Sequence, residues 1–195
     1  PTGTHHIGIG SSSEHPIYLD SQVSAEARIA GNVWIADRLI GRALYEQLRA
    51  PELPDQLPEI SHVSPNPDCP VVAITWHESC AGAAAISSYM EGKSQWRGRL
   101  PYEAEWEAAV RNGVRGAFCF GDDPTLLPNY AWYASNAENR THPGALKRPN
   151  SLGLFDVHGN CWEWCGNGYA EYLLSDALLL PADHERAART ETTER

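Results

Sequence analysis

Between His158 and Cys165 the chain reads His-Gly-Asn-Cys-Trp-Glu-Trp-Cys, and Gly166-Asn167-Gly168 follows. One imidazole, one carboxylate, two thiols and two indoles in so short a stretch could bind a metal, form a redox pair or simply fill a core. Zinc would need two ligands beyond Cys161 and Cys165 in tetrahedral geometry. These two cysteines are spaced Cys-x-x-x-Cys, no Cys-x-x-Cys pair occurs in the chain, and His158 is the only imidazole nearby. Two thiolates also suit Cu(I), and a 161–165 disulfide requires Cα atoms within about 7 Å. The commonest fate of a free cysteine is a buried, semi-apolar thiol, and that reading is preferred here. Glu163, between two tryptophans, must lie at the surface or be held by a partner, because burying a lone carboxylate is costly.

Other groups have simpler roles. Glu103, Glu105 and Glu107 fall at the start of a predicted helix, where negative charge complements the helix dipole. His77 sits just inside another helix start and reads as structural, and His5-His6 is too short for a metal tract. Trp132, Tyr133, Asn136, Asn139, Arg140 and His142 gather rings and amides in an irregular loop. That composition suits an adaptable binding surface; it equally suits a long loop packing its own rings, and both readings stand.

The elements that must position these residues are few. Residues 1–36 read as short strands and loops. Ile40, Ala43, Leu44 and Leu48 recur at helical spacing over Asp37–Leu48, and Pro51 closes the segment. Residues 51–70 carry six prolines and form a connection. Val71–Ile74 is a β-rich run. Thr75-Trp-His-Glu78 has the form of a capping box, and the helix after it puts Gly82, Ala85, Ile86 and Tyr89 on one face, with Gly92 as a stop. A further helix runs from about Tyr102 to Asn112 with Trp106, Ala109 and Val110 inward. Residues 113–160 are rich in Gly, Asn and Pro without periodicity, so side chains, ions or neighbouring backbone must hold them. The polar stretch 181–195 is expected to be mobile or weakly helical.

With 25 Asp+Glu against 15 Lys+Arg, the net charge of −10 argues against a nucleic-acid surface, which needs clustered positive charge. The longest aliphatic run, Leu178–Leu180, is too short to span a bilayer. No charged-then-apolar leader opens the chain, and five cysteines are an odd number, so a reduced, cytoplasmic protein is favoured. The start at Pro1 suits a processed chain or a fragment.

Three stretches in one order carry a resemblance: "CPVVAITWHESCAGAAAISSYM", "GRLPYEAEWEAAVRNG" and "NYAWYASNAENRTHPGALKRPNSLGLFDVHGNCWEWC". Together they resemble the formylglycine-generating-enzyme domain of the sulfatase-modifying-factor family over about residues 69–169, and "HPIYLD" resembles its opening strand. The resemblance implies an α+β, C-type-lectin-like fold with little regular secondary structure. It places one domain over residues 1–172 and an atypical tail over 173–195. The family usually has Thr where Tyr102 stands, so the helix there lacks a usual side-chain cap.

The family includes copper-dependent oxidases that convert a substrate cysteine to formylglycine, non-heme iron enzymes, and non-catalytic variable proteins of diversity-generating retroelements. The oxidases continue through Arg-Gly-Gly-Ser-Trp and finish in Gly-Phe-Arg, and their copper cysteines lie elsewhere. The iron enzymes need a His-x-x-x-His-x-Glu pattern. This chain contains none of these segments. The resemblance therefore implies a non-catalytic, ligand-binding display domain, with a copper-dependent oxidase, or a truncated one, as the alternative. Its ligand is an unspecified protein or small molecule, and it can belong to a larger protein. The expected ligand surface is Trp132, Tyr133, Asn136 and Arg140, joined by Asn167 and Tyr169. In family members with bound calcium, the segment matching "DVHGNCWE" supplies the ligands. Carried over by position, these are Asp156, the backbone carbonyls of Gly159 and Cys161, and the Glu163 carboxylate.

Overall fold

Thr75 and Glu78 begin the helix α2 (Trp76–Tyr89) by satisfying each other's backbone. The Glu78 N–H donates to Thr75 Oγ1 at 3.2 Å, and the Thr75 N–H donates to the Glu78 carboxylate at 2.6 Å. This is the reciprocal box read from sequence, and it satisfies an amide at each end. The Thr75 backbone N–H, and after it the Thr75 side chain, hold the Glu78 carboxyl below its ordinary value. The computed structural model describes residues 4–9, 25–30, 35–48, 53, 57–89, 98–168 and 178–180. Gly92, the stretch "HPIYLD" and residues 181–195 lie outside them.

The helix α3 (Glu103–Arg111) starts without a side-chain bond from Tyr102. The Glu105 carboxylate instead accepts from the Tyr102 N–H at 2.8 Å, and Asn167 Oδ1 accepts from the Glu103 N–H at 2.8 Å. Asn112, at φ 42°, ends the helix. Glu107 pairs with Arg111 at 2.7 Å, so two of the three clustered glutamates have local structural roles.

Two expectations need correction. The helix α1 covers Arg42–Gln47, not Asp37–Leu48. The proline-rich connection takes the backbone groups that an earlier start would need: the Val71 N–H donates to Ile40 O and the Arg42 N–H to Cys69 O, each at 2.9 Å, and Gly41 bridges Pro70. Nor is Val71–Ile74 a strand. Ala73 stands at φ 58°, a left-handed conformation that breaks an extended run.

The chain divides into two units, each built from separated segments. The first comprises Pro1–Ile35, Pro101–Asp123 and Asn167–Arg195. Its sheet has the order β1-β2-β3. β1 (Thr4–Ile9) runs antiparallel to β2 (Ala25–Ala30), with Thr4 opposite Ala30. β3 (Leu178–Leu180) runs parallel to β2, with Leu178 opposite Ala27. The helix α3 lies against β1 and β2.

The second unit, Ala36–Leu100 and Pro124–Gly166, holds α1, α2 and the short α4 (Leu127–Tyr130). Tyr45, Leu48 and Ala85 form its buried cluster, and Ile40, Leu53, Leu57, Val71, Ile74 and Ile86 pack around them. Gly82 permits this contact. A Cβ there would stand 2.9 Å from Tyr45 Cε2, so the ring reaches α2 only because position 82 carries no side chain. Among the described residues no helix is long and apolar enough to cross a membrane. Between Gly113 and Asn160 the helical structure is confined to the 3-10 turn Pro124–Leu126 and α4, as the missing periodicity implied.

Candidate functional site

With so little regular structure, polar side chains must satisfy the backbone of the long loop. Asn136 does this inside its own turn: its Oδ1 accepts from the Tyr133 N–H at 2.8 Å, and its Nδ2 donates to Ala131 O at 3.0 Å. Thr141 ties the far end, its N–H donating to Val63 O at 2.7 Å. Cys69 Sγ donates to Thr141 O at 3.5 Å. Asn160 clamps the loop at two points. Its Oδ1 accepts from the His142 N–H at 2.9 Å and its Nδ2 donates to His142 O at 3.0 Å. Its own N–H donates to Trp132 O at 2.7 Å. One amide side chain thus pairs with a peptide unit as a neighbouring strand would. Nothing local in the sequence marks Asn160 for this role.

Trp132 is held on both faces. The His142 ring stacks on it at 3.8 Å between centroids and 15° between planes. Lys147 Nζ lies 3.9 Å from the Trp132 centroid and donates to Pro128 O at 2.7 Å. Two groups that close to one centroid must occupy opposite faces, and the ammonium gains from the ring quadrupole. The Trp132 Nε1 atom is buried and has no hydrogen-bond partner. Between these fixed points Ala134, Ser135, Glu138, Asn139 and Arg140 are all exposed, and Arg140 pairs with Glu138.

The second loop begins at Asp156, in a left-handed conformation at φ 61° and only 1% exposed. Its Oδ2 accepts from the Ala145 N–H at 3.0 Å, while its Oδ1 is buried without a partner. Burial pushes the carboxyl above its ordinary value; the Ala145 bond and the charge of Arg38 oppose that shift. The Phe155 N–H donates to Asp37 O at 2.8 Å, the Gly159 N–H to Asp156 O at 3.1 Å, and the Cys161 N–H to Gly159 O at 2.9 Å. Gly159 lies tight against the first loop, where an added Cβ would stand 2.1 Å from Trp132 O. The Cys161 thiol is pushed up to about 12, chiefly by burial, with the Glu163 and Asp156 charges adding to it. The charges of Asp156 and Glu163 thus both bear on Cys161, though Asp156 is buried and Glu163 exposed.

Of the six residues expected to line a ligand surface, four lie in one loop. There Arg140 is exposed, Trp132 and Tyr133 are partly buried, and Asn136 braces the turn. Asn167 belongs to the first unit, where it caps α3. Tyr169 lies outside the described residues. Among the described residues no three His, Cys, Asp or Glu side chains converge. The opening motif is anchored at its end: Trp76 Nε1 donates to Cys165 O at 2.8 Å, and Trp164 Nε1 to Ile74 O at 3.1 Å.

A family model described as a sulfatase-modifying factor enzyme 1-like domain matches residues 28–191. The chain is similar to a formylglycine-generating enzyme from Streptomyces coelicolor, 34% identical over 125 residues, covering 56% of this chain and 36% of that protein. It is also similar to the inactive C-alpha-formylglycine-generating enzyme 2 of Mus musculus, 33% identical over 115 residues, covering 52% of this chain and 33% of that protein. The chain thus spans about a third of the length of these curated relatives. Among solved structures, PvdO from Pseudomonas aeruginosa superposes with a TM-score of 0.70 at 22% identity, covering 87% of this chain and 70% of that one. Treponema denticola variable protein 1 gives 0.61 at 21% identity, covering 90% and 76%. At these identities the two structures show a shared fold.

Proposed function

Because the chain belongs to the sulfatase-modifying factor enzyme 1-like domain family, we propose that it is a non-catalytic ligand-display domain on an α+β, C-type-lectin-like frame. It works in the manner of the variable proteins of diversity-generating retroelements, as a domain of a larger protein. The observation that carries this reading is the loop 131–142. Its backbone is clamped by Asn136, Asn160 and Thr141 and by the stack on Trp132. Its turns present the exposed side chains of Ala134, Ser135, Glu138, Asn139 and Arg140. A backbone held by groups other than the displayed ones can keep its shape while those side chains change, which a binding surface on a rigid scaffold requires. Arg140 is the proposed direct contact; Trp132, Tyr133 and Asn136 set its position. The ligand is a protein or small molecule. A cytoplasmic setting accords with five free cysteines.

Calcium is part of the proposal, and the residues fit it. A buried carboxylate oxygen without a donor is costly unless a cation or proton meets it, and Asp156 Oδ1 is such an atom. Asp156 and Glu163 would supply the charge and the Gly159 and Cys161 carbonyls the remaining hard oxygen ligands that Ca²⁺ accepts. Bound there, the ion would supply only structural cross-linking and charge neutralisation.

The 34% identity with a formylglycine-generating enzyme favours a second reading, a copper-dependent oxidase acting on a substrate cysteine. Mass spectrometry distinguishes the two. After copper loading, a cysteine-containing sulfatase peptide incubated with the full chain is expected to remain unchanged. Formation of the aldehyde, and its loss when Cys161 or Cys165 is replaced, would overturn the display reading in favour of the oxidase.

A further inference from the structure

We propose that Trp162 and Trp164 form a docking surface for a basic protein segment, with a lysine or arginine side chain seated against Trp162. This surface is separate from the display loop and stands whether or not that loop binds a ligand; it shares Glu163 with the proposed calcium site, so the peptide is tested with calcium removed by EGTA. Trp162 is 101% exposed and Trp164 50%, in a stretch without helix or strand. A fully exposed tryptophan is unusual in a soluble domain, and aromatic residues that stay uncovered mark interaction sites. The rings are carried by pinned backbone. The Trp164 indole is tied to Ile74 O, and Cys165 O is tied to the Trp76 indole. Trp162 is thus presented by a fixed backbone, and little ordering is needed when a partner arrives.

Charge decides which partner. The segments that carry these rings and their anchors, 69–89 and 149–168, contain no lysine or arginine; Arg99, which precedes the Leu100 that meets Gly166, donates to Leu100 O. Their carboxylates at or near the surface are Glu78 and Glu163, while Asp156 is buried. Glu163 is exposed between the two rings, and the Glu78 carboxylate sits on the Thr75 N–H, beside the residue that anchors Trp164. Lys147, a nearby cation in sequence, is committed to the Trp132 ring and Pro128 O. An indole face attracts cations more strongly than the rings of Tyr or Phe, and flanking carboxylates reinforce that preference. A second copy of this chain is the poorer occupant: each copy carries a net charge of −10, and segments 69–89 and 149–168 have no basic side chain to offer an acidic twin.

The test uses the full chain and a short peptide of alternating arginine and glycine, with its glutamate–glycine counterpart as control, followed by calorimetry. The arginine peptide is expected to bind and the glutamate peptide not to. Affinity should fall as salt is raised, because the attraction is partly between charges. Trp162→Ala should weaken binding about tenfold or more, and Trp162→Phe should recover part of it. Because the Trp162 ring is wholly exposed, Trp162→Ala should leave the melting temperature unchanged, which separates loss of contact from loss of fold. Equal affinity in wild type and Trp162→Ala would overturn the proposal. So would concentration-dependent self-association that Trp162→Ala abolishes, without any binding of the arginine peptide, since that would make a second copy the occupant.

Discussion

Gly159→Ala is expected to destabilise the protein by about 3 kcal/mol, a fall in melting temperature of roughly 6–12 °C for a chain of this size. The cause is a backbone-to-backbone collision. The new methyl would stand 2.1 Å from Trp132 O, a group with no rotamer through which to retreat. The same oxygen accepts the Asn160 N–H at 2.7 Å, so moving it away also strains the bond that joins the two loops. The control is Gly168→Ala, where a Cβ would meet nothing within 4 Å and the reduced freedom of the unfolded chain should make the change neutral or slightly stabilising. Thermal and urea melts of both variants measure the difference. Equal stability of the two would show that the loops are not packed as described.

The second large effect concerns calcium. Removing the ion with excess EGTA is expected to lower stability by about 2–3 kcal/mol if the protein was held near 100-fold above its dissociation constant. Asp156→Asn should abolish that response while keeping the fold. Asparagine tolerates the left-handed φ of 61° at position 156, and it can still accept the Ala145 N–H, but it removes a ligand charge. Differential scanning calorimetry with and without EGTA reads both. A melting curve unchanged by EGTA in the wild type would remove calcium from the proposal and leave Asp156 as a buried carboxyl raised above its ordinary value by burial.

What could be read from the sequence was local. Thr75 and Glu78 are three residues apart and cap α2 by themselves, so their pattern was sufficient. The irregularity of residues 113–160 was equally legible, because absent periodicity is a local property. Failures arose wherever a distant segment decided the outcome. Asp37–Leu48 has helical spacing throughout, yet Cys69 and Val71 take the backbone bonds at its start. Val71–Ile74 has β-rich composition, yet Ala73 turns left-handed. Leu178–Leu180 pairs with β2, a partner far away in sequence that an apolar triplet cannot name. At the candidate site, rings and amides were visible in 129–142, but their division of labour was not. Asn136 and Asn160 look as available for a ligand as Arg140 until their hydrogen bonds are known, and the sandwich on Trp132 depends on Lys147 and His142 meeting it from opposite sides.

The claim that loop 131–142 is a rigid frame for exchangeable side chains is tested most directly by changing the displayed residues together. Ala134→Ser, Ser135→Tyr, Glu138→Asn and Arg140→Tyr in one variant alter exposed positions only, with asparagine chosen where φ is 54° at Glu138. The measurement is the melting temperature of this variant beside that of Asn160→Ala. The combined surface variant should stay within about 1 kcal/mol of wild type, since it loses only one exposed ion pair. Asn160→Ala, which leaves the His142 N–H and carbonyl without these two bonds and puts alanine at a left-handed φ of 70°, should lose about 2 kcal/mol or more. A combined variant that melts as early as Asn160→Ala would contradict the display reading, because the side chains assigned to the ligand would then be holding up the loop.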